Sequence, residues 1–160
     1  MFTASPLSGD KAEQYEQLIA QCQALLHGER HRVANAANLS ALLFNSLADI
    51  NWLGFYFMEG GELVVGPFQG LPACVRIALG KGVCGTAAAS RESQLVPDVH
   101  AFPGHIACDS ASQSELVVPL VKDGEVIGVL DIDSPSLDRF DAVDQAAFER
   151  IAGLFCAGSD

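Results

Sequence analysis

Two strand-length apolar runs, Glu115 to Val121 and Glu125 to Ile132, flank Lys122-Asp123-Gly124. Asp-Gly between two such runs is the turn chemistry of a tight antiparallel hairpin. The hairpin constrains more than the fold. Side chains alternate across a strand, so Asp131 and Asp133 share a face and Ile132 takes the other. If the turn is tight, Glu115 pairs near Asp131 or Asp133, and three carboxylates converge at one end of the hairpin. Asp is unfavourable in strands, so the pattern has two readings. Either this is a strand end in water, with Asp133-Ser134-Pro135 as a turn, or it is a site for a cation or for proton donation. In the second reading like charges in contact raise at least one pKa and create an acid able to donate near neutral pH.

The rest of the chain supplies layers to cover such a sheet. Asp10 to His27 reads as a helix: Asp10 and Glu13 have capping-box spacing, and Tyr15, Leu18, Ile19, Cys22, Leu25 and Leu26 form one apolar face. His31 to Leu47 is a second helix with Leu39, Leu42, Leu43 and Leu47 as its core stripe. Asn51 to Met58 is a strand, Glu59-Gly60-Gly61 a turn, and Leu63 to Val65 a return strand. From Gly66 to Gln113 the sequence is irregular, interrupted by a short strand around Val75 to Ile77 and a helix starting near Val83. Asp141 caps a closing helix that runs to Cys156, with Asp144 in its first turn. The pattern predicts an α/β (α+β) fold: one domain over residues 1–160, a mainly antiparallel central sheet flanked by N- and C-terminal helices, and a loosely ordered segment 1–9.

Composition narrows the function. With 9 basic and 20 acidic residues the net charge is −11. That disfavours nucleic acid and anionic membranes as partners and favours a ligand with a cationic group. No basic-then-apolar leader opens the chain and no apolar run approaches membrane-spanning length, so the expected location is cytoplasmic. The cysteines are Cys22, Cys74, Cys84, Cys108 and Cys156. Their odd number and the lack of an export signal argue against a structural disulfide framework, and their spacings suggest no metal site. Cys22 and Cys156 lie on helix faces and read as packing. Cys74, Cys84 and Cys108 fall in the irregular middle. Cys84 sits at a helix start, where the dipole favours thiolate; Cys108 lies in a loop that can attack and then move to a partner. Trp52 and Tyr56 share a strand face around Gly54, as pocket wall or as core. His100 and His105, flanking Pro103-Gly104, read as solvated loop residues.

With these residues in view, the sequence resembles the free methionine-(R)-sulfoxide reductases, a branch of the GAF-domain superfamily. The resemblance rests on Asn51-Trp-Leu-Gly-Phe-Tyr-Phe, Gly66-Pro-Phe-Gln-Gly-Leu-Pro-Ala-Cys74, Gly82-Val-Cys84-Gly-Thr-Ala, Val99-His-Ala-Phe-Pro-Gly-His-Ile-Ala-Cys108-Asp-Ser, Ser114-Glu115-Leu-Val-Val-Pro-Leu and Gly128-Val-Leu-Asp131-Ile-Asp133-Ser. It implies a single GAF domain that reduces free L-methionine-(R)-S-oxide to methionine through a cysteine sulfenic acid. An intramolecular disulfide then forms and is recycled by thioredoxin. On this resemblance Cys108 is the nucleophile, Cys74 the resolving cysteine and Cys84 a site cysteine available for disulfide exchange. Glu115, Asp131 and Asp133 bind substrate, with Glu115 and Asp133 as proton donors, and Trp52 and Tyr56 enclose the sulfoxide. It implies a homodimer, without metal or cofactor. Whether Cys74 or Cys84 first pairs with Cys108 stays open. The competing readings are a non-catalytic GAF sensor of a small molecule and a thiol redox sensor; the residues alone support a thiol-containing α/β domain.

Overall fold

A computed structural model describes residues 1–106 and 110–160. Helices α1 (Lys11–Leu26) and α2 (Arg32–Ser46) precede strands β1 (Trp52–Glu59), β2 (Glu62–Gln69) and β3 (Arg76–Ala78). Helix α3 (Gly82–Ser90), strand β4 (Gln94–Val96) and a 3₁₀ turn (Val99–Ala101) follow, then β5 (Ser114–Lys122), β6 (Glu125–Ser134) and α4 (Ala142–Gly158). The six strands form one sheet in the order β3-β2-β1-β6-β5-β4, and every neighbouring pair is antiparallel. No helix among the described residues is long and apolar enough to cross a membrane.

Local chemistry accounts for the elements. Asp10 with Glu13, and Asp141 with Asp144, each make a reciprocal capping box that satisfies orphan amides at the starts of α1 and α4. Asp123 and Gly124 both take positive φ, 52° and 79°, as a two-residue turn with the twist of a hairpin requires. One irregularity in that hairpin sets the site. Val121 pairs with Val126, but Leu120 pairs with Gly128, so Ile127 is an extra residue on β6. Beyond this bulge Glu115 faces Asp133 across the ladder.

The two sheet faces do different work. Leu53 and Phe55 of β1, Leu116, Val118 and Leu120 of β5, and Leu130 and Ile132 of β6 point into one cluster. There they meet Leu18 and Ile19 of α1, Leu39 and Leu43 of α2, and Phe148, Ile151 and Phe155 of α4. Each such side chain, fully buried, contributes about 1.5–3 kcal/mol relative to exposure. The alternating residues Trp52, Tyr56, Val117 and Val129 face a second, smaller cluster closed by Val83, Cys84, Ala87 and Ala88 of α3. The termini are also tied together. The Asp144 carboxyl, fully buried, accepts hydrogen bonds from Tyr15 Oη and Lys11 Nζ of α1 and from the Asp141 amide.

Two stretches that the sequence pattern leaves irregular are ordered as strand. β2 continues through Gly66-Pro67-Phe68-Gln69. Proline is tolerated there because β3 pairs only with residues 62–64, leaving the far half of β2 at the sheet edge. β4 is a three-residue edge strand, too short to show a period. Segment 1–9 has no regular structure, yet the Ser5 and Ser8 amides donate to the Gln21 and Gln17 carboxamides, and Phe2 and Leu7 pack on the core.

Candidate active site

The second sheet face carries three cross-strand neighbours at one end. Trp52 of β1 pairs with Asp133 of β6, and Asp133 pairs with Glu115 of β5; two residues along, Gly54 pairs with Asp131. The reading of a strand end in water does not hold: Glu115, Asp131 and Asp133 are only 7%, 5% and 9% exposed. Among the described residues no salt bridge reaches any of them.

Three buried acids without a paired cation cannot all ionise cheaply. Burial pushes the carboxyls of all three well above their ordinary range, and proximity adds to it: Asp131 acts on Glu115, Asp133 on Asp131, and Glu115 on Asp133. Hydrogen bonds among them share the protons, and the Ser112 hydroxyl, itself bonded by Asn51 Nδ2 at 3.1 Å, supports Asp133. Even so, one oxygen of Asp131 and one of Asp133 are buried with no hydrogen-bond partner among the described residues.

Cys84, in the first turn of α3, lies over this cluster with Sγ 4.0 Å from Glu115 Oε2. Its helix position alone would favour thiolate. Burial, with Asp131, Glu115 and Asp133 around it, instead pushes the thiol well above its ordinary value. Desolvation and three nearby acids outweigh a helix terminus.

The aromatic wall is built around Gly54. A Cβ there would lie 2.2 Å from Phe68 Cβ. Its absence lets Phe68 stack on Trp52 (5.1 Å between ring centroids, 18° between planes), and Tyr56 also stacks on Trp52, at 5.8 Å. Their polar ends hold the following loop: Trp52 Nε1 donates to the Leu71 carbonyl at 3.1 Å and Tyr56 Oη to the Cys74 carbonyl at 3.2 Å. Cys74 is disulfide-bonded, whereas Cys22, Cys84 and Cys156 are free and buried. Cys108 lies outside the described residues.

Together these groups line a small cavity of about 40 Å³. Trp52, Tyr56, Cys84, Glu115, Asp131 and Asp133 all face it. So do Lys81 and His105, which sequence reasoning does not place there. His105, expected in solvent, borders the cavity instead, and partial burial lowers its pKa. His100 is exposed and bonded to Asp98. The signal for Lys81 is its place between two glycines just before α3; for Ser112 and His105 no spacing points inward.

Residues 22–155 match the family model described as GAF domain. The free methionine-R-sulfoxide reductase of Escherichia coli (strain K12) is 52% identical over 142 residues, covering 89% of this chain and 86% of the relative. That of Saccharomyces cerevisiae (strain ATCC 204508 / S288c) is 48% identical over 153 residues, covering 91% and 85%. Among solved structures, the free methionine-R-sulfoxide reductase of Neisseria meningitidis in complex with its substrate aligns with a TM-score of 0.95 at 42% identity, covering 99% of this chain and 95% of that one. The chain belongs to the GAF domain family and, within it, to the free methionine-R-sulfoxide reductases.

Proposed function

We propose that this chain reduces free methionine-(R)-sulfoxide to methionine, using Cys108 as nucleophile and Cys74 as resolving thiol. The observation that carries the reading is the buried trio Glu115, Asp131 and Asp133, which no salt bridge reaches among the described residues, beside an aromatic wall and a disulfide-bonded Cys74. A free amino acid brings the missing ammonium; a peptide-bound residue does not and would leave the acids unpaired. Asp131 holds that ammonium. The uncapped N-terminus of α3, with Lys81 beside it, suits the opposite carboxylate. Trp52 and Tyr56 enclose the sulfoxide end.

In the chemical step the Cys108 thiolate attacks the sulfoxide sulfur. Glu115 and Asp133, kept protonated by burial and by one another, hydrogen-bond to and protonate the sulfoxide oxygen. The methionine S–O bond breaks, the oxygen ends on Cys108 as a sulfenic acid, and methionine leaves. The Cys74 thiol then attacks the sulfenic sulfur, forming the disulfide and releasing water. A dithiol of the thioredoxin kind reduces that bond by exchange.

The test is methionine release from the separate R and S epimers with dithiothreitol or thioredoxin as reductant. Turnover of the R epimer alone is expected. Cys108→Ser abolishes it, and Cys74→Ser gives one methionine per chain and then stalls in thioredoxin. No release from either epimer by reduced, folded protein would move the function to ligand sensing. Equal multi-turnover rates in thioredoxin for wild type and Cys74→Ser would remove Cys74 from its role.

A further inference from the structure

Cysteine spacing along the chain suggests no metal site, but the fold assembles donors from three separate elements. Cys84 Sγ of α3, a Glu115 oxygen of β5 and an Asp131 oxygen of β6 all lie within 4.8 Å of one another, and all three residues are buried. We propose that Cys84, Glu115 and Asp131 form a binding site for a thiophilic divalent metal ion of the zinc class, and that an ion held there excludes the ammonium of the substrate. The exclusion rests on the function proposed above; the metal site does not.

Three observations support it. The first is geometric. Tetrahedral zinc with a sulfur ligand at about 2.3 Å and oxygen ligands at about 2.0–2.2 Å separates sulfur from oxygen by roughly 3.6 Å. The Cys84–Glu115 separation of 4.0 Å needs a closure of only a few tenths of an ångström. The second is an unsatisfied donor: Asp131, 5% exposed, keeps one buried oxygen with no hydrogen-bond partner among the described residues, and it lines the cavity that Cys84 and Glu115 line. The third is ligand chemistry. An ammonium satisfies the carboxylates and makes no use of the thiol. A thiolate with two carboxylates selects a borderline-soft ion over calcium or magnesium, which want six or more oxygens. Three protein donors leave a fourth position for water or for Asp133, the pattern of an open zinc site.

Binding displaces the Cys84 thiol proton and any carboxyl proton to solvent, so affinity rises with pH. The ion's own charge supplies what the buried trio lacks.

Cobalt(II) is the probe, because a thiolate ligand gives it a sulfur-to-metal charge-transfer band. The full chain, stripped of metal and oxidised so that Cys74 stays in its disulfide, is titrated with cobalt(II) alone. One ion per chain is expected, with the band abolished in Cys84→Ser and affinity weakened at least ten-fold in Asp131→Asn. Zinc(II) removes the band stoichiometrically. No band in the wild type, or a band that Cys84→Ser retains, overturns the site. If Cys84→Ser fails to fold by circular dichroism, Asp131→Asn decides, and unchanged affinity there overturns it. Free methionine is expected to weaken cobalt binding; failure to compete overturns the exclusion. Methionine release in metal-free chelator buffer tests the reductase reading separately, so the two can fail independently.

Discussion

Gly54→Ala tests whether the aromatic wall depends on the close approach of β1 and β2. The added Cβ would sit 2.2 Å from Phe68 Cβ, 2.7 Å from Phe68 Cα and 2.9 Å from the Pro67 carbonyl oxygen. Carbon atoms prefer about 3.5–4.0 Å, so the strands must part by more than about 1 Å. Two of the three obstacles are backbone, and no rotamer change relieves them. Overpacking of this kind costs about 1–3 kcal/mol, and the backbone contacts place this case at the upper end. The lower unfolded-state entropy of alanine returns about 0.4–1 kcal/mol, leaving a net loss of about 2 kcal/mol. For a domain of this size that lowers Tm by roughly 4–8 °C. Gly153→Ala is the matched control. A Cβ added at Gly153 of α4 would meet no atom within 4 Å, so alanine there stabilises the helix by about 0.5–1 kcal/mol. Urea denaturation of both variants, with thermal melts, reads the difference directly. A Gly54→Ala protein within about 0.5 kcal/mol of wild type would refute the account of the wall, since accommodation would then need no strand movement.

Three further outcomes follow from the buried polar groups. Glu115, Asp131 and Asp133 bind protons more tightly folded than unfolded, so their contribution to stability is full at low pH and falls as pH rises from the ordinary carboxylate range through their raised values. Urea midpoints should therefore fall less steeply with rising pH, above the ordinary carboxylate range, in Asp131→Asn than in wild type; equal slopes would contradict this. Tyr15→Phe removes one donor from the fully buried Asp144 carboxyl and should cost about 1–3 kcal/mol in urea denaturation, while a loss below about 0.5 kcal/mol would show that Lys11 and the Asp141 amide suffice. Burial pushes the Cys22 thiol up to about 12, so iodoacetamide at mildly alkaline pH should spare it in the native chain and label it after denaturation, and native labelling at the unfolded rate would exclude its inert role.

The helices and the hairpin are legible in the sequence because their signals are local: capping boxes at Asp10 and Asp141, the apolar stripes behind them, and Asp-Gly between two runs. The shared face of Asp131 and Asp133 follows from alternation alone. Their meeting with Glu115 does not. A hairpin without irregularity, continuing the Lys122–Glu125 pairing, would set Glu115 against Ile132 and on the opposite face from both aspartates. The extra residue Ile127 corrects the register; Gly128 beside it marks an irregularity in the strand, but a lone glycine does not say whether a residue is inserted or the backbone is merely approached closely. The depth of burial is equally hidden, since it depends on α3 and on residues 70–81 folding over the strand ends. That is why helix position alone misleads about the Cys84 thiol, and why a loop setting misleads about His105. Cys84, Glu115 and Asp131 become neighbours only through the whole sheet.

The bulge also explains how a chain can keep three unpaired acids in its interior. Those acids cost stability that their mutual hydrogen bonds and Ser112 offset only in part; the larger offset comes from the opposite face of the same strands. Leu116, Leu130 and Ile132 are completely or almost completely buried between the acid positions, against Leu18, Leu39 and Phe148. A one-residue slip of β5 against β6 would drive Glu115, or the two aspartates, into that apolar cluster and expose leucine and isoleucine to the polar cavity. The core therefore enforces the register that the acids alone would oppose. Leu116→Ala and Ile132→Ala are therefore expected to lower methionine release by loosening this register, although neither side chain faces the cavity, and unchanged kcat/KM in folded variants would refute it.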